Sequence, residues 1–179
     1  MWRVPCASAV CAMRVGRRAD TRPEGSYLMP EASRDREAVS RQLGRDPRPF
    51  RVAARCPYGL PSVIENERAR NMPTSFWVTC PRLVAEISRV ESTGGVREAG
   101  EAVGAGAVEA IHEEHRALYG TRVAGVREGG NVKCLHAFAA LGLAGALPNP
   151  VADWTLARLE RPYPEDACCT SIPDEGRQA

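Results

Sequence analysis

Residues 74–90 read TSFWVTCPRLVAEISRV, and the class of fold turns on how they divide. Thr74 to Cys80 is rich in aromatic and β-branched side chains, which fit a pleated, half-buried surface, so it reads as the strongest strand of the chain. It runs into Pro81, whose fixed φ and missing N–H suit the first turn of a helix. Leu83, Val84, Ile87 and Val90 then recur at helical spacing, with Thr93, Gly94 and Gly95 as the stop.

Working towards the N-terminus, Arg51–Cys56 and Pro61–Asn66 are short strand-like pieces joined by Pro57, Tyr58 and Gly59, which predicts a hairpin. Before it, Ser33 to Arg45 reads as a short amphipathic helix, capped by Ser33, presenting Val39, Gln42 and Leu43 on one face and ended by Gly44. Working towards the C-terminus, Val96 to Tyr119 has helical spacing interrupted by Gly100, Gly104 and Gly106, each worth about 1 kcal/mol against Ala, so two helices or one broken helix are expected. A Gly-rich loop, Gly120 to Gly130, leads to Asn131, read as the N-cap of an apolar helix that Pro148-Asn149-Pro150 ends. A last short helix is expected over Val151–Glu160. The outcome is an α+β fold: a small antiparallel sheet of about three strands packed with three to five helices.

With 179 residues, 44% of them hydrophobic, the chain can build one core of ordinary size, expected over residues 29–160. Residues 1–28 carry five Arg and no periodicity; they read as a disordered basic tail, with Met29 as the alternative start. Arg161 to Ala179 reads as a flexible C-terminal tail in which Cys168 and Cys169 are adjacent. The stretch Val4–Met13 has its Arg cluster on the wrong side for a secretory peptide, and the longest apolar run, Ala137–Leu147, falls short of the roughly 20 residues a membrane span needs. A cytoplasmic location without a membrane span is therefore expected, where cysteines serve as free thiols, metal ligands or redox groups rather than staples. A net charge of +2, 6% aromatic residues and no nucleic-acid module argue against specific nucleic-acid binding, although the Arg-rich tail could hold phosphates non-specifically. Among 24 basic residues a single lysine, Lys133, stands against 23 arginines.

That lysine precedes the most chemical part of the chain. Cys56, Cys80, Cys134 and His136 all fall at element boundaries, where side chains from distant segments converge most easily. Three thiolates and an imidazole are an accepted zinc shell, and the thiolates could alternatively hold an iron-sulfur centre. A geometric condition attaches: two residues apart on a helix, side chains point about 200° from one another, so Cys134 and His136 can share an ion only if the helix starts later or its first turn is irregular. A second reading makes Cys134 a nucleophile tuned by Lys133 and His136. With Asn131 as cap, Cys134 would lie where the helix dipole favours a thiolate, and backbone N–H groups of Gly129, Gly130 and Asn131 could bind an anionic substrate. A third leaves the cysteines as buried core residues of an interaction module. His112-Glu113-Glu114-His115 is not the zinc-protease pattern, since two residues rather than three separate the histidines; a solvated face with one packed histidine is expected, His115 bordering the buried side.

Five pieces occur in order: Gln42-Leu43-Gly44-Arg45; Arg55-Cys56 with Gly59 and Pro61; Pro73-Thr74 through Trp77-Val78-Thr79-Cys80-Pro81; Val132-Lys133-Cys134-Leu135-His136; and Asn149-Pro150-Val151. Together they resemble the uncharacterised bacterial family known as domain of unknown function 501, over roughly Asp35 to Asp153. The resemblance implies no activity, cofactor or catalytic residue; it implies that the residues singled out on chemical grounds coincide with the family's hallmark motifs. The chain departs from the pattern at Met72, at Arg48-Pro49 and in a short Tyr119–Gly130 segment, which bears on any pocket wall built from that loop.

Overall fold

The computed structural model describes residues 31–67 and 74–163. The basic tail, the Met29 start, Met72, Cys168 and Cys169 lie outside the described residues. The first helix, α1, spans Glu31–Leu43 and ends at Gly44, whose φ of 67° is the left-handed conformation that glycine adopts without strain. Its Val39 is fully buried, and Gln42 donates from Nε2 to the Pro61 carbonyl at 2.8 Å, fixing the helix to the start of the hairpin.

Strands β1 (Phe50–Arg55) and β2 (Pro61–Asn66) form the expected antiparallel hairpin, with Val52 opposite Ile64 and a bulge before Arg55. Strand β3 (Phe76–Val78) pairs antiparallel with β2, placing Val78 opposite Val63 and Trp77 opposite Ile64. Among the described residues these strands make one sheet in the order β1-β2-β3. Strand β2 is central, which is why its residues are buried almost continuously rather than alternately. Strand β3 is three residues long instead of the seven expected from composition: past Val78 the Thr79 and Cys80 amides both turn to the one Ser62 carbonyl, at 2.9 and 3.4 Å, and the ladder stops.

Pro81 then opens helix α2 (Pro81–Ser92), as expected, with Leu83, Ile87 and Val90 buried. The stretch after it divides into α3 (Gly95–Val103) and α4 (Ala105–Tyr119) at Gly104, where φ is 84°. This division brings the described residues to six α-helices rather than three to five. A short 3-10 turn, Val123–Gly125, follows, and Arg122, with a side chain only 10% exposed, pins it by binding Glu109 and Glu113 of α4. Helix α5 (Leu135–Leu143) is the hub of the core: Leu135 and Ala137 through Leu141 are buried, and Phe138 is completely enclosed. Helix α6 (Pro150–Leu156) is capped by Asn149, whose Oδ1 accepts from the Ala152 amide at 3.0 Å while its Nδ2 donates to Phe138 O at 2.9 Å. Gly142 lets α5 and α6 approach, since a Cβ there would lie 2.4 Å from that of Ala152. The first residues of the expected C-terminal tail belong to the body: Glu86 of α2 accepts the Glu160 and Arg161 amides, and Tyr163 packs on the core. No helix of the described residues is long and apolar enough to cross a membrane.

Candidate functional site

The start of α5 differs from the expectation, and the site follows from the difference. Asn131 is not the cap. Its carbonyl accepts from His112 Nε2 at 2.9 Å, and Gly130 is pressed onto α4 so closely that a Cβ would lie 1.8 Å from Ala105 O. The chain therefore remains irregular until Cys134, which is the N-cap in an extended conformation, with φ −155° and ψ 120°. Cys134 and His136 occupy the cap and the second helical position rather than two positions within a regular turn, so the 200° objection does not apply.

A carboxylate from another helix completes the helix start. Glu91, in the last turn of α2, accepts the Leu135 amide through Oε1 at 2.5 Å, supplying the acceptor that a helix N-terminus lacks within itself. The same oxygen lies 3.3 Å from His136 Nδ1, and Cys134 Sγ lies 3.8 Å from that nitrogen. On the other side of the ring, Nε2 donates to the Val84 carbonyl at 3.1 Å, with Ser88 Oγ 3.3 Å away. Val84, Ser88 and Glu91 stand on one face of α2, four and three residues apart, so a single helix both orients the imidazole and brings the acid to it.

Contact with Cys134 raises the His136 pKa to about 9 against the opposing effect of burial, with the Val84 carbonyl and the Glu91 charge adding to the rise. Both Glu91 and His136 keep about a quarter of their side-chain surface accessible, at 26% and 23%. A cavity of about 240 Å³ opens beside them, between β3, the 3-10 turn and the start of α5; Cys134 and His136 line it together with Phe76, Trp77, Val78, Ala124 and others.

Among the described residues, Glu91, Cys134 and His136 form the group whose ligand atoms all lie within 4.8 Å of one another, a set that could hold a metal ion. Cys56 and Cys80 are not members of it. They are buried at the ends of β1 and β3, on either side of β2, where both influence Tyr163, whose phenol is raised in pKa chiefly by burial. Lys133 donates from Nζ to the Ala124 carbonyl at 3.3 Å. It thereby anchors the turn whose Ala124, at φ 54°, holds a left-handed conformation that costs a non-glycine residue about 1 kcal/mol or more. Gly129, Gly130 and Asn131 lie before the α5 N-terminus, not on it. The Gly129 and Asn131 carbonyls are what their neighbours engage, from Arg122 at 2.8 Å and from His112. His115 is buried and Glu114 exposed, as expected, but His112 is buried as well: His115 Nδ1 donates to Thr121 O at 2.5 Å, and burial lowers both histidine pKa values.

The residue that sequence reasoning missed is Glu91. It sits beside the apolar stripe of α2, 43 positions before Cys134, and no local spacing marks it. Its signal is indirect: a carboxylate next to a buried face must find a donor, and the one it finds is a backbone amide of another helix.

Fold and site together define an α+β protein with a cysteine, a histidine and a carboxylate gathered beside an apolar cavity. The chain matches the family model described as protein of unknown function (DUF501) over residues 52–116 and 104–157, stretches that contain Glu91, Cys134 and His136. It belongs to that family. No curated protein and no solved structure matches it.

Proposed function

We propose that this protein binds zinc through Glu91, Cys134 and His136 and keeps one coordination position open towards the cavity. The observation that carries this reading is the orientation of the His136 ring. Its Nε2–H is spent on the Val84 carbonyl, which leaves Nδ1, the nitrogen whose proton a metal ion would displace, on the side where Cys134 Sγ and Glu91 Oε1 converge. A backbone carbonyl that fixes the tautomer of a ligating imidazole is the usual support of such a site. One sulfur, one nitrogen and one oxygen suit borderline-soft zinc; an iron-sulfur cluster wants more thiolates than one. Three protein ligands rather than four suit an ion that takes an exchangeable ligand. The reading assumes a reducing, cytoplasmic setting in which Cys134 stays a thiol.

Cobalt(II) substitution tests this directly. One equivalent should give a thiolate-to-metal charge-transfer band in the near ultraviolet that Cys134→Ser abolishes. His136→Ala and Glu91→Gln should weaken binding at least tenfold. Protein that shows no such band and retains less than about a tenth of an equivalent of zinc after anaerobic purification would reject the site.

The Cys134–His136 contact of 3.8 Å favours a second reading, a thiol-dependent enzyme acting on an anionic small molecule with Cys134 as nucleophile. Against it, Cys134 and Glu91 both face Nδ1, whereas a nucleophile–base–acid relay uses the two ring nitrogens for different partners. Rapid alkylation of Cys134 in metal-free protein below pH 7, unaffected by added zinc, would favour the enzyme; protection by zinc favours the metal site.

A further inference from the structure

The cavity beside the three ligands is specific enough in its chemistry to say what should enter it. Its walls are apolar: Phe76, Trp77 and Val78 from β3, Ala124 from the 3-10 turn and Ala137 from α5. Among the described residues the lining hydroxyl is that of Thr74, which accepts from Trp77 Nε1 at 3.0 Å. Cys134 and His136 line the cavity and Glu91 does not, so an ion held by the three would turn its free position towards these walls.

Charge then decides the class of ligand. A divalent ion bound by a thiolate, a carboxylate and a neutral imidazole is already neutralised. Among the described residues no lysine or arginine lines the cavity to balance a further negative charge, and an unbalanced charge in apolar surroundings is costly. A volume of about 240 Å³ lies below the usual range of drug-sized pockets, about 300–1,000 Å³, and suits a body of roughly one ring.

We propose that the cavity receives a small neutral molecule with an apolar body and a single oxygen donor, an alcohol or a carbonyl compound, whose oxygen takes the open coordination position against the Trp77 wall. This rests on the zinc reading, and the experiment separates the two. The cobalt(II)-loaded full chain is titrated with benzyl alcohol, ethanol and benzoate while the visible d–d bands are followed. Benzyl alcohol should perturb them with a half-saturation at least tenfold below that of ethanol, because only it fills the apolar walls, and below that of benzoate, because only benzoate brings a charge. Trp77→Ala, with its thiolate band intact, should bring benzyl alcohol to within about threefold of ethanol. Ala137→Val, which narrows the cavity from the helix side, should weaken benzyl alcohol and leave ethanol unchanged. Tighter binding of benzoate than of benzyl alcohol, or an intact thiolate band that no probe perturbs, overturns the ligand class alone; a missing thiolate band overturns the metal site with it.

Discussion

At the scale of single residues the three histidines pull stability in opposite directions with pH. His136 has a folded pKa of about 9 against an ordinary value of 6.5, so its protonated form contributes stability that is fully present below pH 6.5 and is lost as pH rises through about 9. Burial lowers the pKa of His112 and His115, so their contribution is present above pH 6.5 and is lost as pH falls. Metal-free protein should therefore have a stability maximum near neutrality. His136→Gln should flatten the alkaline side and leave the acid side unchanged, as read by thermal midpoints between pH 5 and pH 10; an unchanged alkaline limb would dissociate His136 from it. Lys133 is legible as singular in the sequence, but its role is not. Adjacency to Cys134 suggests that it tunes the thiol, whereas its ammonium is bonded to the Ala124 carbonyl and supports the cavity wall.

At the scale of elements the informative case is the start of α5. Asn131 after two glycines has every local mark of an N-cap. The tertiary structure uses the same residues otherwise, because His112 claims the Asn131 carbonyl and Ala105 leaves no room for a side chain at position 130. Gly130→Ala should consequently destabilise the fold by about 1–3 kcal/mol, the usual cost of overpacking, as measured by chemical denaturation. A loss under about 0.5 kcal/mol would show that the loop yields. The hairpin, α2 with Pro81 at its start and a break somewhere among Gly100, Gly104 and Gly106 were legible because each is set by local chemistry: turn residues, a proline, glycines in a helical stretch; that the break falls at Gly104 is seen only in the fold. The extent of β3 was not, because it depends on where the Ser62 carbonyl stands on the neighbouring strand.

At the scale of the whole molecule the site joins two helices to the sheet across the core. Glu91 comes from α2, Cys134 and His136 open α5, and the cavity wall comes from β3. A ligand held there binds the folded chain and not the unfolded one, so zinc at 100 times its dissociation constant should stabilise by about 2.7 kcal/mol. The gain should be seen as a rise in thermal midpoint that Cys134→Ser removes. An equal rise in that variant would place the zinc elsewhere.

By itself the sequence determined the α+β class, the succession of strands and helices and the family, and it picked out Cys134 and His136 as candidates, because periodicity, turn chemistry and short motifs are local properties of a chain. Only the tertiary structure decided which groups meet. It left Cys56 and Cys80 beside Tyr163, moved the helix start to Cys134 and brought in Glu91 from 43 residues away. The physical reason is that a buried or half-buried polar group is satisfied by whatever donor or acceptor packing brings within reach, and spacing along the chain carries no record of that.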